Sequence, residues 1–342
     1  MTRRVFLSVL LSVSLSGLLL AVLFRQLRAG DLAGTFSRIY LPALGFYVAV
    51  SLLGAFLRAW RYKWLLRPRS IGWTDMMLVT FVRNAFDDLL PARVGSLSYI
   101  YVLNGRLGYP FEGAASSFVV AFVFDFLTLG PFVVAAALAL GSKATALPSG
   151  LLPYMAVAFT TAVTLVVWKL VPILEFAGRV YARLLRVLRM DHRRAAAASL
   201  DKGRVTLAAL RDIRDRHLYG RLLLISLLIR LAKYVSLFGL LFALLRSHGM
   251  VPDGSGFLRM ILVLTGAEMT SALPVKGLAD FGTWEAAWAL AFRWMGFDPG
   301  QAVLSGIGLH LITNVFEYGL GLVSYLSLVR PRLKSRRRRP LV

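Results

Sequence analysis

Two interrupted stretches decide how this chain folds: Phe86-Asp-Asp-Leu-Leu-Pro-Ala-Arg-Val-Gly95 and Thr270-Ser-Ala-Leu-Pro-Val-Lys-Gly-Leu-Ala-Asp-Phe-Gly282. Each lies between hydrophobic arms, the first within residues 76–104 and the second within residues 257–297. A helix needs about 20 apolar residues to cross a hydrocarbon core, and no arm is that long. Proline removes a backbone donor and glycine loosens the chain, so both stretches break a helix in mid-run. At membrane depth such a break is tolerable only where it is buried in protein or lines a wet cavity.

Outward from these stretches the chain is apolar almost throughout. Of its 342 residues 58% are hydrophobic, and the mean hydropathy is +0.68, beyond what an ordinary soluble domain reaches. Uninterrupted runs at about Val5 to Phe24, Ile39 to Leu57, Gly113 to Leu140, Pro153 to Leu174, Leu222 to Leu245 and Gln301 to Val329 predict about six full transmembrane helices. The first run exceeds a signal-peptide h-region and precedes no small-residue cleavage site, so it is expected to stay in the protein. Residues 1–342 therefore read as a single all-α polytopic membrane domain. The absence of cysteine excludes disulfides, thiolate metal sites and cysteine nucleophiles.

The formal net charge of +23 would suggest nucleic acid in a soluble protein. Here the basic residues gather between the apolar runs, which is the positive-inside pattern. The clusters are Arg3 and Arg4; Arg58, Arg61, Lys63, Arg67 and Arg69; a loop over about 176–217; and the tail 330–342. All are expected on the cytoplasmic side of a bacterial or archaeal inner membrane, with both termini cytoplasmic. Arg25, Arg28 and Arg38 fit this map poorly. In the long loop, Arg179, Arg183, Arg186 and Arg189 recur at helical spacing beside Val180, Leu184 and Val187, an interfacial amphipathic helix for anionic lipid headgroups. No aromatic-interleaved RNA or DNA motif accompanies it, so nucleic acid is not an expected partner.

Charge parity then constrains the broken stretches. If either one alone crossed the membrane, a basic cluster would be stranded outside, and if both crossed, the long basic loop would be. Two re-entrant hairpins satisfy the pattern. They also resemble each other, Leu89-Leu-Pro-Ala-Arg93 against Ala272-Leu-Pro-Val-Lys276 and Leu107-Gly-Tyr-Pro110 against Met295-Gly-Phe-Asp-Pro299. With three spans between them they enter from opposite sides, the arrangement of an inverted-topology repeat with a site near the midplane.

At these hairpins the sequence resembles the lysylphosphatidylglycerol synthase transmembrane region family, flippase-like integral membrane proteins. The matching stretches are Asn84 to Gly95 and Ala272 to Glu285, with Asp125 in the span after the first. Ser96 and Asp280 depart from the family pattern, which usually has Glu and Gly there. In bifunctional relatives a soluble domain performs aminoacyl transfer while the membrane part is thought to flip the lipid. The sequence given ends at Val342 with no stretch expected to form that domain, so the resemblance implies lipid translocation rather than lysyl transfer.

Ionisable residues at membrane depth mark a pathway or an internal pair. Candidate substrate-binding residues are Asn84, Asp87, Asp88, Arg93, Ser96, Lys276, Asp280, Thr283 and Glu285. Ser96 and Thr283 are placed to cap the short helices that follow, and Arg93 and Lys276 would add positive charge suited to a phosphate. The alternative is that these cations only pair with Asp87, Asp88 or Asp280 to hold the hairpins. Arg230 and Lys233 share a face at mid-depth and need counter-charges, for which Asp125, Glu268 and Glu317 are available. His310, Asn314 and Glu317 fall on one helical stripe, either a proton relay or a packed polar seam. Gly306, Gly308, Gly319 and Gly321 read as close-packing positions.

No P-loop, paired-histidine metal motif or Gly-X-Ser-X-Gly elbow is present. Neither enzyme activity, nor a cofactor, nor a metal is expected. The expected function is movement of an anionic phospholipid or lipid-linked precursor between leaflets. The alternative is a membrane-embedded transferase or accessory subunit in lipid or lipid-linked glycan modification. The expected partners are membrane lipids with anionic headgroups, with a second copy or a lipid-biosynthesis enzyme as further possibilities.

Overall fold

A computed structural model describes residues 29–67, 71–89, 95–141, 169–187, 218–249, 253–270, 281–294 and 297–329, with single positions and short runs between 14 and 25 and between 154 and 208. Every regular element among them is helical. In chain order these are α1 (Ala29–Ser37), α2 (Leu41–Leu65), α3 (Trp73–Leu89), α4 (Ser98–Leu107), α5 (Phe111–Leu127), α6 (Leu129–Leu140), α7 (Leu170–Val187), α8 (Tyr219–Leu245), α9 (Gly254–Thr270), α10 (Thr283–Trp294) and α11 (Pro299–Val329).

Among the described residues, four stretches are long and apolar enough to cross a membrane: Leu41–Leu65, Phe111–Leu140, Tyr219–His248 and Pro299–Val329. They coincide with four of the expected spans. Half of the residues of the other two, Val5 to Phe24 and Pro153 to Leu174, lie outside the described residues, as do Arg189 and the tail 330–342. At about 1.5 Å per residue, the arms of the broken regions are shorter: 17 residues in α3, 10 in α4, 17 in α9 and 12 in α10.

One expected boundary moves. α2 does not end at Leu57 but continues to Leu65, with Pro42 in its first turn where a missing donor costs nothing. Arg58 and Arg61 are therefore inside a candidate span rather than in a basic loop, and Arg61 is fully buried. Likewise α7 runs unbroken from Leu170 into the basic stretch, exposing Arg179, Arg183 and Arg186 beside Val180, Leu184 and Val187.

The helices bury two apolar clusters. One gathers Tyr62, Met76, Val79, Tyr99, Leu103 and Phe124 from α2 to α5 around the first broken region. The other gathers Tyr234, Leu241, Leu264, Trp288, Phe292 and Leu309 from α8 to α11 around the second. Long helices tie the two together. α2 and α8 lie antiparallel, since the Tyr40 N–H donates to the Ala243 carbonyl (3.0 Å) at one end while a Cβ on Gly54 would stand 3.7 Å from that of Ala232 further along. α11 crosses α3, also antiparallel, where a Cβ on Gly321 would fall 2.2 Å from the Ala85 Cβ and 3.3 Å from the Phe81 carbonyl oxygen. Gly306 and Gly308 admit Trp288 and Leu244 in the same way, whereas Gly319 faces open space and has no packing role of this kind.

Candidate functional site

In the first broken region Gly95 lies against the end of α3, so closely that a Cβ on it would fall 1.5 Å from the Phe86 carbonyl oxygen, which only glycine permits. This approach brings Ser96 against the last turns of α3. Its hydroxyl donates to Asp87 and lies 3.4 Å from the Arg83 guanidinium, which is also 3.8 Å from Asp87. Ser96 is fully buried. It does not cap α4 as expected, because the capping position belongs to Leu97, with no side-chain cap bond. A serine hydroxyl that close to a carboxylate gains more from the charge-assisted bond.

The second broken region ends on a different device. Gly282, at φ 86°, precedes Thr283, the first residue of α10. Three residues on, Glu285 reaches back and accepts the Gly282 N–H at 2.7 Å, the reciprocal half of a capping box. Its other oxygen bonds His310 Nδ1 of α11 at 2.6 Å. Glu285 is fully buried, and the His310 ring sits between Phe281 and Trp284, 4.6 and 5.2 Å from their centroids. Glu285 therefore both caps α10 and bolts it to α11.

Between these devices lies a cavity of about 240 Å³, walled by α2, α3, α8 and α11, with Asp125 of α5, Glu268 of α9 and the Trp284 and Trp288 rings of α10 completing it. Most of the charged residues predicted from sequence converge here. Asn84, Asp87, Asp88, Asp125, Arg230, Lys233, Glu268, His310, Asn314 and Glu317 all line it. Thr283 does not, and Arg93, Lys276 and Asp280 lie outside the described residues.

The pairing within the site is specific. Arg230 donates to Glu268 at 3.0 Å and to the Asp125 backbone carbonyl at 2.5 Å, while Lys233 pairs with the other oxygen of Glu268. Of the three counter-charges weighed from sequence, Glu268 thus serves both cations. Asp125 is held instead by Arg61, and Asn84 accepts from Arg58 at 2.9 Å. Asp88 and Glu317 face each other in the cavity wall at the helix crossing, with Asp88 one turn beyond Ala85 on α3 and Glu317 one turn before Gly321 on α11.

Arg58, Arg61 and Arg83 are site residues that the sequence reading assigned to a loop or passed over. A signal existed, since Arg58 and Arg61 are three apart in a run that, Lys63 aside, is apolar and aromatic through Trp60, Tyr62 and Trp64 to Leu65. Chemically, the site presents cationic donors and carboxylates to a space at membrane depth, with no group of three His, Cys, Asp or Glu able to hold a metal ion among the described residues. Trp284 and Trp288, stacked at 5.3 Å, give it one apolar wall.

Residues 6–321 match the family described as Lysylphosphatidylglycerol synthase TM region, and no curated protein matches the chain. The match spans nearly the whole chain, which therefore belongs to this family and is an integral membrane protein of the lipid-related class that the family's name denotes.

Proposed function

We propose that this member of the Lysylphosphatidylglycerol synthase TM region family is a translocator that carries the headgroup of an anionic phospholipid or lipid-linked precursor across the inner membrane. One observation carries the reading: a polar cavity with Arg58, Arg83, Arg230 and Lys233 in its walls, inside helices apolar enough to span a bilayer. Charges at such depth are costly and persist where they serve a substrate or a pathway. A headgroup needs such a polar refuge while its acyl chains stay in lipid.

In this reading the two broken regions are re-entrant hairpins related as inverted halves, set among about six spans with both termini cytoplasmic. On that topology they enter the membrane from opposite sides. Support comes from the paired breaks at Pro91 and Pro274 and from the matching Gly-X-Pro and Gly-X-X-Pro connections, which join α4 to α5 and α10 to α11. The chain moves lipid without changing it covalently.

The test is reconstitution into vesicles carrying trace fluorescent phosphatidylglycerol, with leaflet exchange followed by dithionite quenching. Protein-dependent exchange is expected, reduced at least tenfold by Arg58→Gln and by Arg93→Ala in protein that still elutes as a folded species. Exchange equal to that of empty vesicles would sink the translocator. Loss of a covalently modified lipid species after gene deletion would favour the transferase reading instead.

A further inference from the structure

The charges of the cavity nearly cancel. Among the described residues, its walls carry the cations Arg58, Arg83, Arg230 and Lys233 and the carboxylates Asp87, Asp88, Asp125, Glu268 and Glu317. Arg61 stands behind Asp125. His310 in the wall is matched by Glu285 behind it, and with every other group ionised five cations face five carboxylates. An anionic headgroup entering that space would leave one uncompensated negative charge in a low-dielectric interior, which is strongly disfavoured.

The carboxylates differ in how they are held. Asp125 has Arg61, Glu268 has Arg230 and Lys233, and Asp87 has Arg83 and Ser96. Asp88 and Glu317 instead face each other where α3 and α11 cross, both in the cavity wall. Two carboxylates side by side in a low-dielectric wall do not both ionise, so the pair holds a proton. The ionisable groups facing the pair are Asp87 and Arg83 on α3, Tyr47 and Arg58 on α2 and Lys233 on α8, with His310 two turns along α11 and bonded to Glu285 of α10. Holding that proton, the walls carry one net positive charge.

A second feature points to a ligand. Asn314, one turn from Glu317 on the same stripe, is 4% exposed, lines the cavity, and its Nδ2 has no hydrogen-bond partner. A buried donor left unpaired costs stability, and an anionic oxygen in the cavity would satisfy it.

We infer that an anionic headgroup enters this cavity together with a proton, which the Asp88 and Glu317 carboxyl pair holds while Asn314 donates to the headgroup. This rests on the translocator reading. No covalent bond forms or breaks. The proton is taken from the side where the headgroup enters and released where it leaves, so the cavity is neutral both empty and deprotonated and loaded and protonated. The protonated pair is the state that accepts the anion.

The experiment uses the full chain in phosphatidylcholine vesicles with trace fluorescent phosphatidylglycerol in the outer leaflet. Inward movement is compared at equal pH and with the exterior made tenfold more acidic. The wild-type rate is expected to rise severalfold, up to about tenfold for a one-proton step under that gradient, and Glu317→Gln and Asp88→Asn should each bring the ratio of rates close to one. Equal wild-type rates under the two conditions overturn the coupling and leave translocation standing. No protein-dependent movement under either condition overturns translocation and the coupling with it. A wild-type ratio retained in both variants overturns the assignment to the pair. Should neither variant fold, pyranine trapped in wild-type vesicles decides: acidification that tracks lipid entry supports the coupling, and entry without it does not.

Discussion

Arg61 of α2 grips Asp125 of α5 through two guanidinium nitrogens, at 2.6 and 3.1 Å, and the first of these also bonds Ser226 of α8 at 2.9 Å. Three helices from both ends of the chain are thereby fixed to one fully buried cation. Removing one partner of such a pair leaves a buried charge uncompensated, which costs about 3–5 kcal/mol. Asp125→Ala is accordingly expected to lower the midpoint of thermal unfolding in detergent sharply. The double variant Arg61→Met with Asp125→Leu should recover most of the loss, because apolar residues of similar size have no charge to desolvate.

The crossing of α3 and α11 makes a steric prediction. Gly321 has no space for a side chain, since its Cβ would fall 2.2 Å from that of Ala85. Gly321→Ala must push the helices apart, and overpacking of this kind costs about 1–3 kcal/mol. Ala85→Gly in the same chain is expected to relieve the clash and restore the melting midpoint. Gly319→Ala, two residues away in open space, should leave it unchanged.

The helix content and the convergence of charge were legible in the sequence because both rest on local signals. Apolar run length predicted about six spans, four of which coincide with long apolar helices among the described residues, and the rarity of charge in apolar runs picked out Asp125, Arg230, Lys233, Glu268 and Glu317 before any contact was known. What was not legible depended on where a helix stops. Arg58 and Arg61 read as loop residues because basic residues flanking an apolar run usually are, yet Trp60, Tyr62 and Trp64 carry α2 on to Leu65. The burial of Arg61 and the pairing of Arg58 are tertiary outcomes, set by Asp125 and Asn84 on other helices. Ser96 was read as a cap by its place before a helix, and its bond to Asp87 depends on the turn at Gly95.

Lys233 offers a way to separate binding from stability. Its side chain is 39% exposed and shares Glu268 with the better buried Arg230. Lys233→Met leaves Glu268 paired, so the melting midpoint should move little, as exposed ion pairs contribute about 0–1 kcal/mol. If the cavity receives an anion, the same variant should slow exchange of fluorescent phosphatidylglycerol at least tenfold. Unchanged exchange would remove Lys233 from the pathway.

Asp253 precedes α9 at an exposed position, and its carboxylate accepts from the Ser255 hydroxyl and the Gly256 N–H, both at 2.7 Å. These bonds hold its pKa below the usual carboxylate range. A depressed value in the folded state means that the contribution is complete above the unfolded pKa and disappears as pH falls through the lowered one. Asp253→Asn should keep the capping geometry but remove this acid dependence, seen as a flatter plot of melting midpoint against pH below the carboxylate range.

Glu285 makes the sharpest distinction between shape and charge. One oxygen accepts the Gly282 N–H and the other bonds His310, and no water reaches either, since the side chain is fully buried. Glutamine has the same shape and supplies an acceptor for Gly282 and a donor for an unprotonated His310 nitrogen. Alanine supplies neither and leaves two buried groups unpaired, at about 1–3 kcal/mol each. Glu285→Ala is therefore expected to lose several times more melting stability than Glu285→Gln. If the two variants melt alike, charge on Glu285 rather than its hydrogen bonds joins α10 to α11, and the partner to test next is His310, by His310→Gln in the Glu285→Gln background.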